Sequence, residues 1–245
     1  MTMKETFTKL VNWFENLFMT NHSCVSCGKE IVDGTKFQIC DDCLKNIEII
    51  DGSVCEKCGD KVVAGNKLCN HCKTTDYAFD CNMSFCYYSD VSSRIVKGLK
   101  YGKKKYFAKH IAEMMTELGD VFEDVDVITF VPVDAKRRRE RGFNQAEEIA
   151  KELSRLKNIC VKNTLIKLAS SKHQAGLTQK ERLENLKGSF VLIDEAKECV
   201  KGKVVLVVDD VFTTGATLFE CSKTLKKAKP AKIKTITFAK TKFDY

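Results

Sequence analysis

Residues 204–218 read VVLVVDDVFTTGATL: an unbroken apolar run, two adjacent carboxylates, Asp209 and Asp210, and then Thr213, Thr214, Gly215, Ala216 and Thr217. A turn of glycine and threonine between a strand and a helix suits an anion, because backbone N–H groups, hydroxyls and the helix N-terminus converge on negative charge. Two carboxylates beside a phosphate would repel it. They suit neutral hydroxyls, such as those of a sugar ring, or a metal ion, and a phosphorylated sugar satisfies both halves of the stretch. The plainer alternative has Asp209 capping the strand end and Asp210 paired with a lysine. It leaves the threonine–glycine turn unexplained.

A second set of residues is spaced for metal. The chain has 13 cysteines, and eight form four C-x-x-C pairs: Cys24/Cys27, Cys40/Cys43, Cys55/Cys58 and Cys69/Cys72. A C-x-x-C turn presents two thiolates along one edge of a tetrahedron, and two such pairs complete a four-cysteine site. Glycine follows the second cysteine in CVSCGKE and CEKCGDK. There it permits the positive φ that turns backbone N–H groups toward sulfur. Two structural Zn2+ sites are expected, in a segment with too few large apolar residues to fold on a core of its own. Sequential pairing is favoured, while a cross-braced pairing uses the same spacings. Redox chemistry at C-x-x-C would need a βαβ context that this segment lacks. His71, between Cys69 and Cys72, is expected to be a bystander. Cys81, Cys86, Cys160, Cys199 and Cys221 are expected to be packing residues.

The elements that must carry these groups follow from composition and periodicity. The chain has 245 residues, 44% hydrophobic and 30% charged, as in ordinary soluble globular proteins. Its longest wholly apolar run, residues 204–208, is far short of the ~20 residues of a membrane span, and no signal-peptide pattern opens the chain, so a cytoplasmic protein is expected. Formal charge is +8; eight thiolates remove eight and two zinc ions return four, leaving +4. Basic character is therefore local, at residues 97–105, 136–141 and 223–234. Phe7, Leu10, Val11, Phe14, Leu17 and Phe18 share one face of an amphipathic helix over residues 1–20, expected to pack on the zinc module or the main domain, with membrane or partner binding through Trp13 and the phenylalanines as the alternative. From residue 77, strands are expected over 79–88, 125–131, 159–168, 204–208 and 233–239. Helices are expected on either side of Gly102 and over 144–156 and 218–227, with Asn144 and Glu147 forming a capping-box-like start. Residues 170–187 lack an apolar run and are expected to be mobile. This alternation predicts a parallel α/β sheet, where ligands bind beyond the carboxyl ends of the strands.

VVLVVDDVFTTGAT resembles the 5-phosphoribosyl 1-pyrophosphate (PRPP) binding motif of type I phosphoribosyltransferases, with Phe212 standing where an aliphatic residue is common. VPVDAKRRRERGFNQAEEIA, residues 131–150, resembles the signature of the ComF family, phosphoribosyltransferase-like proteins linked to natural competence. LKYGKKKYFAKHIAEM, HQAGLTQKERLENLKGSF and the cysteine pairs are similar to that family as well. The resemblance covers nearly the whole chain. Beside the amphipathic helix at 1–20, it implies a double zinc-binding module at 21–75 and, at 76–245, a type I phosphoribosyltransferase-like α/β domain with its parallel sheet flanked by helices.

The resemblance further implies site residues. Asp209 and Asp210 would contact the ribose hydroxyls as the catalytic carboxylates, and Thr213, Thr214, Gly215, Ala216 and Thr217 would wrap the 5′-phosphate. Pro132, Val133, Lys136, Arg137 and Arg141 would hold pyrophosphate, which arginine forks suit. Lys172, His173, Gln174 and Arg182 would belong to a lid that excludes water. An enzyme of this kind displaces pyrophosphate from C1 of PRPP through an oxocarbenium-like transition state, with Mg2+ and arginines neutralising the leaving group. No residue identifies an acceptor. Two other functions fit the same residues. One is a non-catalytic factor that handles single-stranded DNA beside DNA-processing proteins, its basic runs tracking phosphates and Phe143, Tyr101 and Tyr106 stacking bases. The other is a sensor that binds PRPP or a nucleotide without turnover.

Overall fold

The computed structural model describes residues 23–31, 35–102, 104–168 and 186–243. The expected helix over residues 1–20 and the expected lid residues Lys172, His173, Gln174 and Arg182 lie outside them. The described strands are β1 (Cys81–Tyr87), β2 (Val127–Phe130), β3 (Leu165–Lys167), β4 (Phe190–Leu192), β5 (Val204–Phe212) and β6 (Lys232–Lys240). Four of them form an all-parallel sheet in the order β1–β6–β5–β2. β3 and β4 form a separate antiparallel pair. The unbroken Val204–Val208 run reflects β5's central position, since a strand of a parallel sheet is buried on both faces.

Helices α1 (Asp41–Lys45) and α2 (Asn70–Thr74) belong to the cysteine-rich segment. They are followed by α3 (Asp90–Tyr101), α4 (Phe107–Met115), α5 (Ala135–Arg141), α6 (Gln145–Lys157), α7 (Lys197–Val200) and α8 (Ala216–Leu225). α4 and α6 pack on each other and on the sheet through Ile111, Ala112, Met115, Ile149, Ala150 and Leu153, all fully buried. α8 lies against β5 and β4.

Two expectations are corrected. β5 does not stop before its carboxylates: Asp209 pairs with Thr237 and Phe212 with Lys240, because β6 offers a backbone partner along that whole length. The strand expected at 159–168 is broken. Val161 makes a single parallel bridge to Ile128, and the chain then leaves the main sheet at Thr164, whose hydroxyl meets that of Thr129 at 2.6 Å. The basic run after Pro132 is a helix, α5, capped by Asp134 accepting from the Arg137 N–H at 2.9 Å. Arg141 therefore closes α5, and Gly142, at φ 83°, makes the left-handed stop.

The cysteine-rich segment is joined to the sheet by its backbone. Its connector pairs with the outer edge of β1: Ile50 N–H donates to Phe85 O at 3.0 Å and Tyr87 N–H to Glu48 O at 2.8 Å. An otherwise open sheet edge is thereby covered. The segment's second half is also pinned by side chains. Asn82 Nδ2 donates to Cys58 O at 3.1 Å, Tyr87 Oη donates to Asp60 at 2.6 Å, and Lys240, fully buried at the end of β6, pairs with Asp60 at 3.0 Å. Gly59, at φ 69°, follows Cys58 as the metal-knuckle pattern requires, and a Cβ there would lie 2.5 Å from Asn82 O. Of the five remaining cysteines, Cys86 and Cys221 are buried as packing residues. Cys160 and Cys199 are exposed, on the segment after α6 and on α7.

Candidate functional site

The carboxyl ends of β2 and β5 open into one cleft of ≈ 280 Å³. β2 delivers Val131, Pro132 and Val133 to it. α5 starts beside it and presents Arg137 and Arg141, which are four residues apart and so share a helix face. Asn144 ties this wall together. Its side-chain oxygen caps α6 by accepting from Ala146 N–H at 3.1 Å, and its Nδ2 donates to Val131 O at 3.0 Å. The cap thus reaches the second helical N–H rather than the third that a capping box with Glu147 would use. Arg141 donates to Gln145 Oε1 at 2.8 Å and lies 5.4 Å from the centre of the Tyr101 ring.

The opposite wall comes from β5 and the start of α8. Asp209, Asp210, Thr213, Thr214, Ala216 and Thr217 line the cleft. Gly215 stands behind them as the N-cap of α8, at φ 75°. A Cβ there would fall 2.6 Å from the Phe212 ring and 2.7 Å from the Tyr77 ring, so glycine is required by both backbone and space. Thr214 Oγ1 accepts from Ala216 N–H at 3.3 Å, and Thr241 Oγ1 donates to Thr213 O at 3.1 Å.

Strand alternation sends the two aspartates to opposite faces of β5. Asp210 meets Lys100 of α3 at 2.5 Å. Burial pulls the Lys100 pKa down, but the Asp210 charge outweighs it and the net shift is upward. Asp209 accepts from the Asp210 N–H at 2.9 Å. Burial, and then the charge of Asp210, push its carboxyl up to about 7. On that side lies Lys167 of β3, lowered by burial and then by Arg137.

The cleft therefore gathers Pro132, Val133, Arg137, Arg141, Asp209, Asp210, Thr213, Thr214, Ala216 and Thr217 of the residues singled out from the sequence. Lys136 is not among its lining residues and is exposed. Arg138 turns to Glu147, 3.1 Å away. The sequence reading missed Lys100, Lys167, Gln145 and Leu186, which also line the cleft. Period-two alternation flags Lys167, which shares a face of β3 with buried Leu165. Nothing in the lysine-rich run at 97–105 distinguishes Lys100 from its neighbours.

The cysteines form two separate clusters, Cys24/Cys27/Cys40/Cys43 and Cys55/Cys58/Cys69/Cys72. Within each, the sulfurs all lie within 4.8 Å of one another. Cys27 and Cys40 sulfurs are 3.7 Å apart, as are those of Cys58 and Cys69. A tetrahedral site with Zn–S bonds of about 2.3 Å has sulfur–sulfur edges of about 3.8 Å, so both clusters fit Zn2+. The pairing is sequential, not cross-braced. His71 is in neither cluster. It is a bystander to the metal site, as expected, and its Nε2 lies 3.0 Å from Tyr77 Oη.

Residues 103–243 match the phosphoribosyl transferase domain family, and residues 16–73 match the double zinc ribbon domain family. The chain is similar to Competence protein F of Haemophilus influenzae, 28% identical over 214 residues that span 84% of this chain and 92% of the relative. It is similar to Competence protein ComFC of Bacillus subtilis, 25% identical over 213 residues, 83% of this chain and 85% of the relative. DNA utilization protein YhgH of Escherichia coli is 24% identical over 198 residues, 78% of this chain and 86% of the relative. Among the described residues, no helix is long and apolar enough to cross a membrane.

Proposed function

The chain belongs to the phosphoribosyl transferase domain family and carries a double zinc ribbon, and on that premise we propose that its cleft binds PRPP with Mg2+ in the service of DNA uptake or nucleotide metabolism. One observation carries this reading. The β5 carboxylates, the threonine turn at the N-terminus of α8 and the Arg137–Arg141 face of α5 come from three elements and meet in one cleft. Each matches a different part of the ligand. The turn presents N–H groups and hydroxyls to the 5′-phosphate. Asp209 and Asp210 accept hydrogen bonds from the ribose hydroxyls. Arg137 and Arg141, with Lys100, face the pyrophosphate, whose oxygens match guanidinium forks.

Mg2+ takes one or two carboxylates together with substrate phosphate oxygens; Asp209 or Asp210, which line the cleft from opposite faces of β5, would supply such a carboxylate, so the residues present fit the ion. Bound there, it would neutralise charge building on the pyrophosphate. The chain's own contribution is to hold the sugar by its hydroxyls and draw the pyrophosphate toward the arginines.

Titration of PRPP with Mg2+ into the wild type and a D209N/D210N variant tests the reading. Micromolar binding by the wild type, weakened at least tenfold in the variant, is expected; absence of wild-type binding overturns it. Pyrophosphate release with candidate acceptors then separates an enzyme from a sensor.

A second reading is favoured by one surface. Lys105, Arg139, Arg141 and Phe143 line a shallow depression, and Tyr101, 72% exposed, stands over Arg141. Basic groups interleaved with aromatic rings suit single-stranded DNA, in keeping with the competence and DNA-utilization names of the relatives. Such binding would weaken steeply between 50 and 200 mM salt, about a hundredfold or more. A flat salt dependence rules it out.

A further inference from the structure

We propose that the second zinc ribbon is a working part of the phosphate site, with Tyr77 as the positioning residue that transmits its shape to the 213–217 turn. The inference rests on the reading of that turn as a 5′-phosphate site.

The observations form a continuous path. α2 starts directly after the ligand Cys69, contains the ligand Cys72 and carries His71 between them. His71 Nε2 is 3.0 Å from Tyr77 Oη, and Tyr77 Oη donates to the Thr214 carbonyl at 3.2 Å. A phenol has one proton. Given to Thr214, it leaves the oxygen to accept from the imidazole N–H. Both rings are held from behind: Phe243 stacks on His71 at 4.2 Å and Phe79 on Tyr77 at 4.7 Å. The Tyr77 ring is also one of the two surfaces that exclude a side chain at position 215.

The consequence lies in the peptide between Thr214 and Gly215. Its C=O and N–H point in opposite directions across a planar trans unit. Anchoring the Thr214 carbonyl on Tyr77 therefore turns the Gly215 N–H away from the ribbon. A free turn would sample other orientations and would bind its anion only at the cost of ordering itself. The ribbon is itself pinned at this corner by the buried Lys240–Asp60 pair. The first zinc cluster makes no such connection among the described residues. Its half of the segment reaches other elements instead: Ser26 Oγ donates to Val91 O of α3 at 3.2 Å, and Phe37 packs edge-on against Phe85 of β1.

The test uses the full-length, zinc-loaded protein and three variants: Y77F, which removes only the hydroxyl, H71L, and H71Q, which keeps a donor. Two quantities are measured: amide hydrogen exchange in residues 213–217, and affinities for ribose 5-phosphate and for pyrophosphate. In Y77F and H71L, faster exchange confined to the turn is expected, with ribose 5-phosphate binding weakened about three- to tenfold, the net contribution of one hydrogen bond. Pyrophosphate affinity should stay within about twofold and zinc content should not change. H71Q should recover most of the loss. Unchanged exchange and unchanged ribose 5-phosphate affinity in Y77F would overturn the proposal, as would equal losses for both ligands. If the wild type binds no ribose 5-phosphate, the PRPP reading fails instead, and the exchange comparison alone decides the role of Tyr77.

Discussion

Lys100 Nζ lies 2.5 Å from Asp210 Oδ2, so a helix near the start of the domain supplies a counter-ion to a carboxylate at the end of its central strand. The lysine partner that would make Asp210 merely structural is present. It does not displace the ligand reading, because Lys100, Asp210 and the threonine turn line the same cleft. A cation already paired at the ribose end can turn to an incoming pyrophosphate while Asp210 turns to the sugar.

Removing one partner leaves the other charge poorly solvated. K100M is expected to cost about 2 kcal/mol, between the values for exposed and buried pairs. The K100M/D210N double variant should regain more than half of that in urea unfolding. Additive losses would show that the two side chains are not coupled. The folded-state pKa of Lys100 is raised, so the pair's contribution is full at neutral pH and fades only as pH climbs through that raised value.

Asp209 has the opposite sign. Its carboxyl is pushed up to about 7 from an ordinary 3.8, so the folded state holds a proton that the unfolded chain releases. Stability should therefore fall as pH rises from about 4 to about 7. D209N should flatten that slope, raising the melting temperature at pH 8 by several degrees and leaving it nearly unchanged at pH 4. A parallel shift at both pH values would contradict the burial argument.

Arg137 and Lys136 are adjacent in sequence but only Arg137 lines the cleft. R137A should weaken PRPP binding about tenfold or more, as expected for loss of a charge-assisted pair worth about 1.5–3 kcal/mol. K136A should change it less than twofold. Isothermal titration of both variants distinguishes them, and equal effects would mean that net charge rather than geometry governs binding at α5.

Metal analysis should find about two zinc ions per chain. Cys27 is exposed, whereas the second cluster is buried at all four cysteines. A thiol reagent should accordingly release zinc in two phases of about one equivalent each, the fast phase from the first cluster. A C27S variant should lose the fast phase alone. Release in a single phase would show that burial does not separate the two sites.

Much of this protein could be read in one dimension because its informative signals are local. C-x-x-C spacing, the apolar run of β5, the Asp-Asp-x-x-Thr-Thr-Gly pattern and the Asn144 cap each lie within a few residues and report the local backbone. Sequence alone therefore determined the α/β class and two metal sites, and it singled out the threonine–glycine turn and the basic run, parts of which the fold brings to one cleft. It did not determine which lysine of the run at 97–105 would meet Asp210, or that α5 would turn Arg137 and Arg141 inward and Lys136 outward. It also left His71 without a partner, since Tyr77 is reached by packing and Thr214 lies 137 residues beyond Tyr77. Those pairings were decided by tertiary structure. A side chain's charge and hydrogen-bonding capacity are written in its residue type, but which groups share a dry, confined space is set by how strands and helices pack.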